Sequence, residues 1–184
     1  WEMGVVNWTN RFPEEFKKYR GYDIFPYLPV MTGRIVESPE LSNRFLQDLR
    51  RTVSDCIYEN HYMLFKELAH KHGMMIDPES GGPCYTPVDA LQIMSISDIP
   101  HGEYWARSIS HVASEGARLS VRQSACVAHT NGKRFVEAEG PTSIGPQWER
   151  SPKDLKGILD RIFCSGVNRL VWHAFVSSPK EYGV

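Results

Sequence analysis

Several features are missing from this 184-residue chain, and each absence removes a class of function. There is no charge excess: 21 Lys and Arg against 22 Asp and Glu give a formal net charge of -1. Binding to nucleic acid or to an anionic membrane surface therefore has no electrostatic basis. No apolar run approaches the roughly 20 residues of a membrane-spanning helix. The four cysteines, Cys56, Cys84, Cys126 and Cys164, form no C-x-x-C pair, which leaves a zinc ribbon or a thioredoxin-type motif unsupported. Cys56, Cys126 and Cys164 fall in helical patterns and are expected to be small buried thiols. Neither G-x-G-x-x-G nor a P-loop occurs, and there is no tandem repeat or low-complexity tract.

What is present is ordinary globular composition, 41% hydrophobic and 23% charged, in a chain long enough for one domain with a real core. It begins at Trp1 without an initiator Met or a signal pattern and is expected to be a segment of a longer protein. The missing leader therefore carries no information about compartment.

A pattern recurs three times. A helix-like stretch ends at a glycine, a short apolar strand follows, and a polar group closes it. The places are Gly73 to Glu79, Gly132 to Glu139, and Gly166 to His173. This is the repeat of a parallel α/β barrel, whose chemistry gathers where strands end. Acids first and bases last place a short helix between Asn10 and Gly21. Residues 22–36, broken by Pro26, Pro29 and Gly33, read as irregular with at most a helical turn. Leu46, Leu49, Val53, Ile57, Leu64 and Leu68 predict one long helix over 41–72. Strands are expected at 74–76, 91–96, 135–138 and 170–175. Helices are expected at about 108–130 and from Ser151 to Gly166, the latter opened by Ser151 as N-cap and Pro152 at the first position. Such alternation favours a parallel sheet with outer helices. A flavodoxin-like open sheet is the competitor, but it would place a phosphate loop after its first strand.

At the expected strand ends stand Glu2, Glu79, Glu103, Glu139 and His173, with Asp77, Asp98 and Glu137 nearby. Carboxylates facing one pocket can hold a metal, or act as general acid and general base in glycoside hydrolysis. Asp77 and Glu79, like Glu137 and Glu139, lie two apart and share a strand face. The later member of each pair is preferred because it lies nearer the strand end. Trp1, Trp8, Tyr85, Tyr104, Trp105, Trp148 and Trp172 crowd the same places, and aromatic rings suit the apolar faces of sugars. His173 interrupts an apolar strand at its end and suits either substrate contact or a buried, hydrogen-bonded place in the core.

Trp1-Glu2-Met3-Gly4, Asn7-Trp8-Thr9, Arg20-Gly21-Tyr22-Asp23, Glu59-Asn60-His61-Tyr62, Asp98 through Trp105, Ala128 through Lys133, Ala138-Glu139 and Gly166 through His173 together resemble the catalytic barrel of glycoside hydrolase family 106, the α-L-rhamnosidases. The resemblance covers nearly the whole chain. It implies an exported, periplasmic or extracellular, multidomain bacterial enzyme of carbohydrate metabolism with a (β/α)8 domain. It also implies inversion at the anomeric carbon and a calcium ion contacting sugar hydroxyls. This chain would be the second half of that barrel, from the end of the fourth strand to the eighth, with the rest of its own polypeptide as its partner. By this resemblance Glu2 is the general acid and Glu139 the base that activates water. The resemblance also makes Glu103 a substrate or metal ligand; in the reading adopted, Glu103 and Glu79 supply charge for calcium or bonds to hydroxyls, and Asn7, Trp8, Tyr104 and His173 contact the sugar. The expected activity is exo-hydrolysis of terminal α-L-rhamnose or a similar sugar. The rival readings are a metal-dependent hydrolase on the same barrel, which needs several His and Asp ligands at strand ends, and a non-catalytic carbohydrate-binding barrel. A half-barrel would carry unpaired edge strands, so activity is expected only in the full-length parent.

Overall fold

The computed structural model describes residues 8–79, 87–107, 115–143 and 150–173. Helix α1 spans Phe12–Arg20, and its end at Gly21 is closed by the Gly21 N–H donating to the Lys17 carbonyl at 2.8 Å. A 3-10 helix follows over Phe25–Thr32. Helix α2 (Pro39–Ile57) starts at Ser38, whose side chain accepts from the Leu41 N–H. Phe12, Phe16, Ile24, Val30, Phe45, Leu49 and Val53 from these elements form one apolar cluster.

The expected long helix is interrupted. Residues Tyr58–Met63 form a π-helical segment before α3 (Leu64–Lys71). Here Asn60 Nδ2 donates to the Cys56 carbonyl at 2.9 Å, so a side chain competes for the carbonyl four residues back, a known cause of local unwinding. Residues 74–76 are not a strand; the segment meets the sheet only at a single parallel bridge, Glu79 to His101. The expected strand at 91–96 is a helix, α4 (Ala90–Ile96). Asp89 caps its start by accepting from the Gln92 N–H, while Lys66 and Lys133 donate to carbonyls at its end. Cations at a helix C-terminus are where the dipole favours them; burial holds the Lys133 ammonium below its usual pKa.

Strand β1 (His101–Arg107) lies between the expected strand at 91–96 and the expected helix from about 108, where no element is assigned from the sequence. Helix α5 covers Glu115–Thr130, β2 covers Glu137–Ser143, α6 covers Pro152–Cys164, and β3 covers Arg169–Val171. Ser151 and Asp154 form the expected capping box on α6. Ala174 and Phe175, the end of the expected last strand, lie outside the described residues. The three strands are parallel and lie in chain order β1-β2-β3. An α/β layer in which each strand docks beside its predecessor is consistent with part of a barrel.

One sheet face meets helices α5 and α6. Tyr104, Ala138 and Leu170 from the strands pack there with Val121, Ala125 and Ile162. Gly102 lies against α5 so closely that a Cβ would stand 3.0 Å from the Ser120 carbonyl oxygen. The buried-thiol expectation fails for Cys126 and Cys164, which are exposed on α5 and α6, whereas Cys56 is half-buried. They sit on the helix faces turned away from the core.

Candidate active site

Side chains alternate along a strand. With Gly102, Tyr104, Ala138 and Leu170 turned to the helices, His101, Glu103, Trp105, Glu137, Glu139, Arg169 and Val171 belong to the opposite face. The register makes two rows there. The first pairs His101 with Glu137 and Glu137 with Arg169; the second pairs Glu103 with Glu139 and Glu139 with Val171. Glu103 and Glu139 are thus nearest neighbours on adjacent strands, each third in its seven-residue strand. Glu139 does not end its strand as expected. The strand continues through an irregularity: Glu103 pairs with Glu139, but Trp105 pairs with Thr142, so Gly140 and Pro141 are accommodated between paired positions. The Gly140-Pro141 peptide is cis. Gly140 has φ +148°, and a Cβ there would lie 2.6 Å from the Tyr104 carbonyl oxygen; glycine is required by both conformation and space.

Glu103 is fixed on two sides. Its backbone N–H donates to Ser120 Oγ at 3.1 Å, and its carboxylate accepts from the Trp105 indole N–H. The Trp105 ring lies 6.4 Å from the exposed His173 ring, centroid to centroid. Glu103, Glu139, Trp105 and His173 therefore come together as expected residues on one sheet face or its margin.

The others fall elsewhere. Tyr104 belongs to the helix-facing core, only 2% exposed, on the opposite side of β1 from Glu103. Burial pushes its hydroxyl pKa up to about 12. Trp8 packs on Phe12 and Phe25 in the N-terminal helical cluster, not on the sheet. Glu79 is half-buried at the bridge to His101, and its carbonyl faces the Tyr62 hydroxyl at 3.5 Å. Glu2 and Asn7 lie outside the described residues, as do Tyr85 and Trp148.

The first row holds residues that strand-end reasoning passed over. Asp77, His101 and Glu137 each offer one ligand atom within 4.8 Å of the others. Two matching clamps set the level of the acids. Ile76 N–H donates to Asp98 Oδ2 at 2.7 Å while Asp98 N–H donates to the Ile76 carbonyl at 2.9 Å. Val136 N–H donates to Asn168 Oδ1 at 2.9 Å while Asn168 N–H donates to the Val136 carbonyl at 3.1 Å. Each clamp grips a buried apolar residue directly before an acid, Asp77 or Glu137. Burial opposes ionisation of Asp98, yet the His70 imidazole at 2.8 Å and the Ile76 N–H hold its carboxyl below the usual range.

Glu137 is 1% exposed. Its Oε1 accepts from Arg169 Nε at 2.9 Å, and its Oε2 lies 3.9 Å from His101 Nδ1. Burial pushes its pKa up to about 7; the Asp77 carboxyl adds to the rise and the Arg169 guanidinium opposes it. Asp77 raises the pKa both by hydrogen bonding to the protonated form and by its own charge, although in the geometry shown Oε2 has no hydrogen-bond partner among the described residues. The signal that could have revealed His101 is its position two before Glu103, the spacing of Glu137 to Glu139.

Calcium takes six to eight oxygen ligands. Among the described residues Glu103, paired in register with Glu139, offers carboxylate oxygens on this row, one of them engaged by the Trp105 indole N–H. The triad of potential ligands includes an imidazole, a nitrogen donor that calcium disfavours.

A paired-glutamate face with an aromatic margin is a glycosidase-like arrangement. A family profile for α-L-rhamnosidase, glycoside hydrolase 106, matches residues 1–183. The chain belongs to this family. It is 36% identical, with TM-score 0.81, to the structure of a rhamnosidase from Novosphingobium sp. PP1Y, over 97% of this chain and 17% of that one. It is also 37% identical over 179 residues to a Formosa agariphila protein named "Putative beta-glucuronidase", covering 97% of this chain and 14% of the relative. The chain thus spans less than a fifth of the length of these relatives. As a family member it is glycoside-hydrolase-like. No helix among the described residues is long and apolar enough to cross a membrane.

Proposed function

We propose that this chain supplies the catalytic face of an inverting exo-glycosidase acting on terminal α-L-rhamnose or a similar neutral sugar, in a larger polypeptide exported to the periplasm or beyond. The observation that carries this reading is the register pairing of Glu103 with Glu139 on the open sheet face, beside Trp105 and His173, in an α-L-rhamnosidase family member. Glu139 takes a proton from the attacking water. Glu2 gives one to the departing oxygen. The two carboxyl groups would stand about 6.5–9.5 Å apart to admit that water. Glu103, held by Trp105 and Ser120, bonds to sugar hydroxyls, and the Trp105 and His173 rings flank the sugar. No step passes through calcium; an ion at Glu103 would draw most of its oxygen ligands from other segments. The surrounding strands are proposed to belong to a (β/α)8 barrel completed by the rest of the polypeptide.

A glucuronide is the second reading, prompted by the name of the Formosa relative. Its carboxylate would call for a free cation near the acids. Arg169, beside these rows, is committed to Glu137, which favours a neutral sugar.

The test is turnover of aryl α-L-rhamnoside and aryl β-D-glucuronide by the full-length protein, with the anomer of the first product read by NMR. Glu139→Gln is expected to lower kcat by about 10²–10⁴ while sugar binding and melting temperature hold. Retained turnover in this variant, or a retained anomer, overturns the assignment. Sugar binding without turnover in the unaltered protein would instead support a carbohydrate-binding barrel.

A further inference from the structure

We propose that Asp77, His101 and Glu137 form a binding site for a divalent transition-metal cation one row beneath the paired glutamates, separate from any sugar-contacting ion. The three ligand atoms already lie within 4.8 Å of one another. They come from three successive segments of the sheet layer, so the backbone and not a flexible loop sets their spacing. Two of the three residues are more than nine-tenths buried, His101 at 6% and Glu137 at 1% exposure. Both carry a buried polar atom without a partner among the described residues, His101 Nε2 and Glu137 Oε2. Leaving Glu137 Oε2 unsatisfied costs free energy that a cation beside it would recover.

The surroundings are those of a prepared site. Arg169 takes Glu137 Oε1 and leaves Oε2 available, 3.9 Å from the imidazole. His101 Nδ1, the ring nitrogen 3.9 Å from Glu137 Oε2, also lies 3.0 Å from the Asp77 carbonyl oxygen, a backbone contact that holds the ring among the acids. Asp77 is exposed, giving an ion a way in and room for a water ligand. Two carboxylates against one guanidinium leave the ionised cluster with net negative charge. One imidazole and two carboxylates suit zinc or manganese better than calcium or magnesium.

The experiment uses full-length protein stripped with chelator and dialysed against zinc, manganese or calcium chloride. Bound metal is counted by elemental analysis, with melting temperature as a second readout. We expect one zinc or manganese ion per chain, competed poorly by calcium, and a higher melting temperature when loaded. His101→Gln should weaken binding more than about tenfold. Asp77→Asn, at an exposed side chain, should do the same while keeping the metal-free melting temperature. Glu139→Gln should leave binding intact, so the result is independent of the proposed catalytic role. The proposal is overturned if the unaltered protein retains neither zinc nor manganese, if Asp77→Asn binds as tightly as the unaltered protein, or if only calcium binds.

Discussion

The N-terminal helical cluster and the sheet layer handle polar groups in opposite ways. Around α1 and α2 the polar groups are paired. Arg20 donates to Thr52 and pairs with Asp55, the Tyr22 hydroxyl reaches Asp48, and the Tyr27 hydroxyl reaches Glu37. Phe16, Tyr22, Tyr27 and Phe45 meet in edge-on, tilted and stacked contacts, geometries that add to apolar burial. In the sheet layer, by contrast, lie all the buried side-chain atoms that lack a partner among the described residues: His101 Nε2, Tyr104 Oη, Gln123 Oε1, Glu137 Oε2 and Thr142 Oγ1. A region that satisfies itself is scaffold. In the sheet layer these atoms leave places that a water, an ion or a substrate would fill.

That contrast can be broken by mutation. Phe45 is 1% exposed, so Phe45→Ala should cost about 3–5 kcal/mol of stability, seen as a large drop in melting temperature. The kcat of the protein that remains folded should be unchanged. A loss of kcat at full stability would erase the division between the two regions.

Glu137 should report the opposite behaviour through pH. Its folded pKa, about 7, lies above its ordinary 4.5, so folding favours the protonated form. The associated stability is present below about pH 4.5 and is lost as pH rises through about 7. With chelator present, unaltered protein should lose on the order of 1–3 kcal/mol over that window, the range allowing for water on the Asp77 side. Glu137→Gln, which mimics the protonated state, should not lose it. Parallel pH profiles for the two proteins would refute this account.

A change beside Glu139 sharpens the comparison most. Gly140→Ala must shift the backbone next to Glu139, because its Cβ would strike Tyr104. It should cost about 1–3 kcal/mol but lower kcat more than KM, through misplacement of the carboxylate. Equal kcat at reduced stability would show that the bend serves packing alone.

Much of this architecture was legible in local chemistry. The glycines closing α1 and α3, the Ser151 cap, and the apolar faces of α2 and α6 follow from strong signals. Strand β1 was hidden because its inner face is Gly102, Tyr104 and Ala106 while its outer face is His101, Glu103 and Trp105; little apolar alternation survives. Helix α4 was mistaken for a strand because seven mostly apolar residues fit either period, although Asp89 and Gln92 form a usable start signal. Glu139 was legible as the polar group closing a glycine–strand run and Glu103 as a carboxylate at a strand end, but their pairing needs the register. The Asp77–His101–Glu137 cluster was not, because its members lie 24 and 36 positions apart, and only the parallel register brings them level.

The order of the strands has a consequence for synthesis. Because β2 lies between β1 and β3 in the sequence and in the sheet, each new strand finds its neighbour already made. A chain emerging from the ribosome can add one strand and its helix at a time, without waiting for a distant segment. Its pairing contacts stay close in sequence, which lowers the entropic cost of each addition.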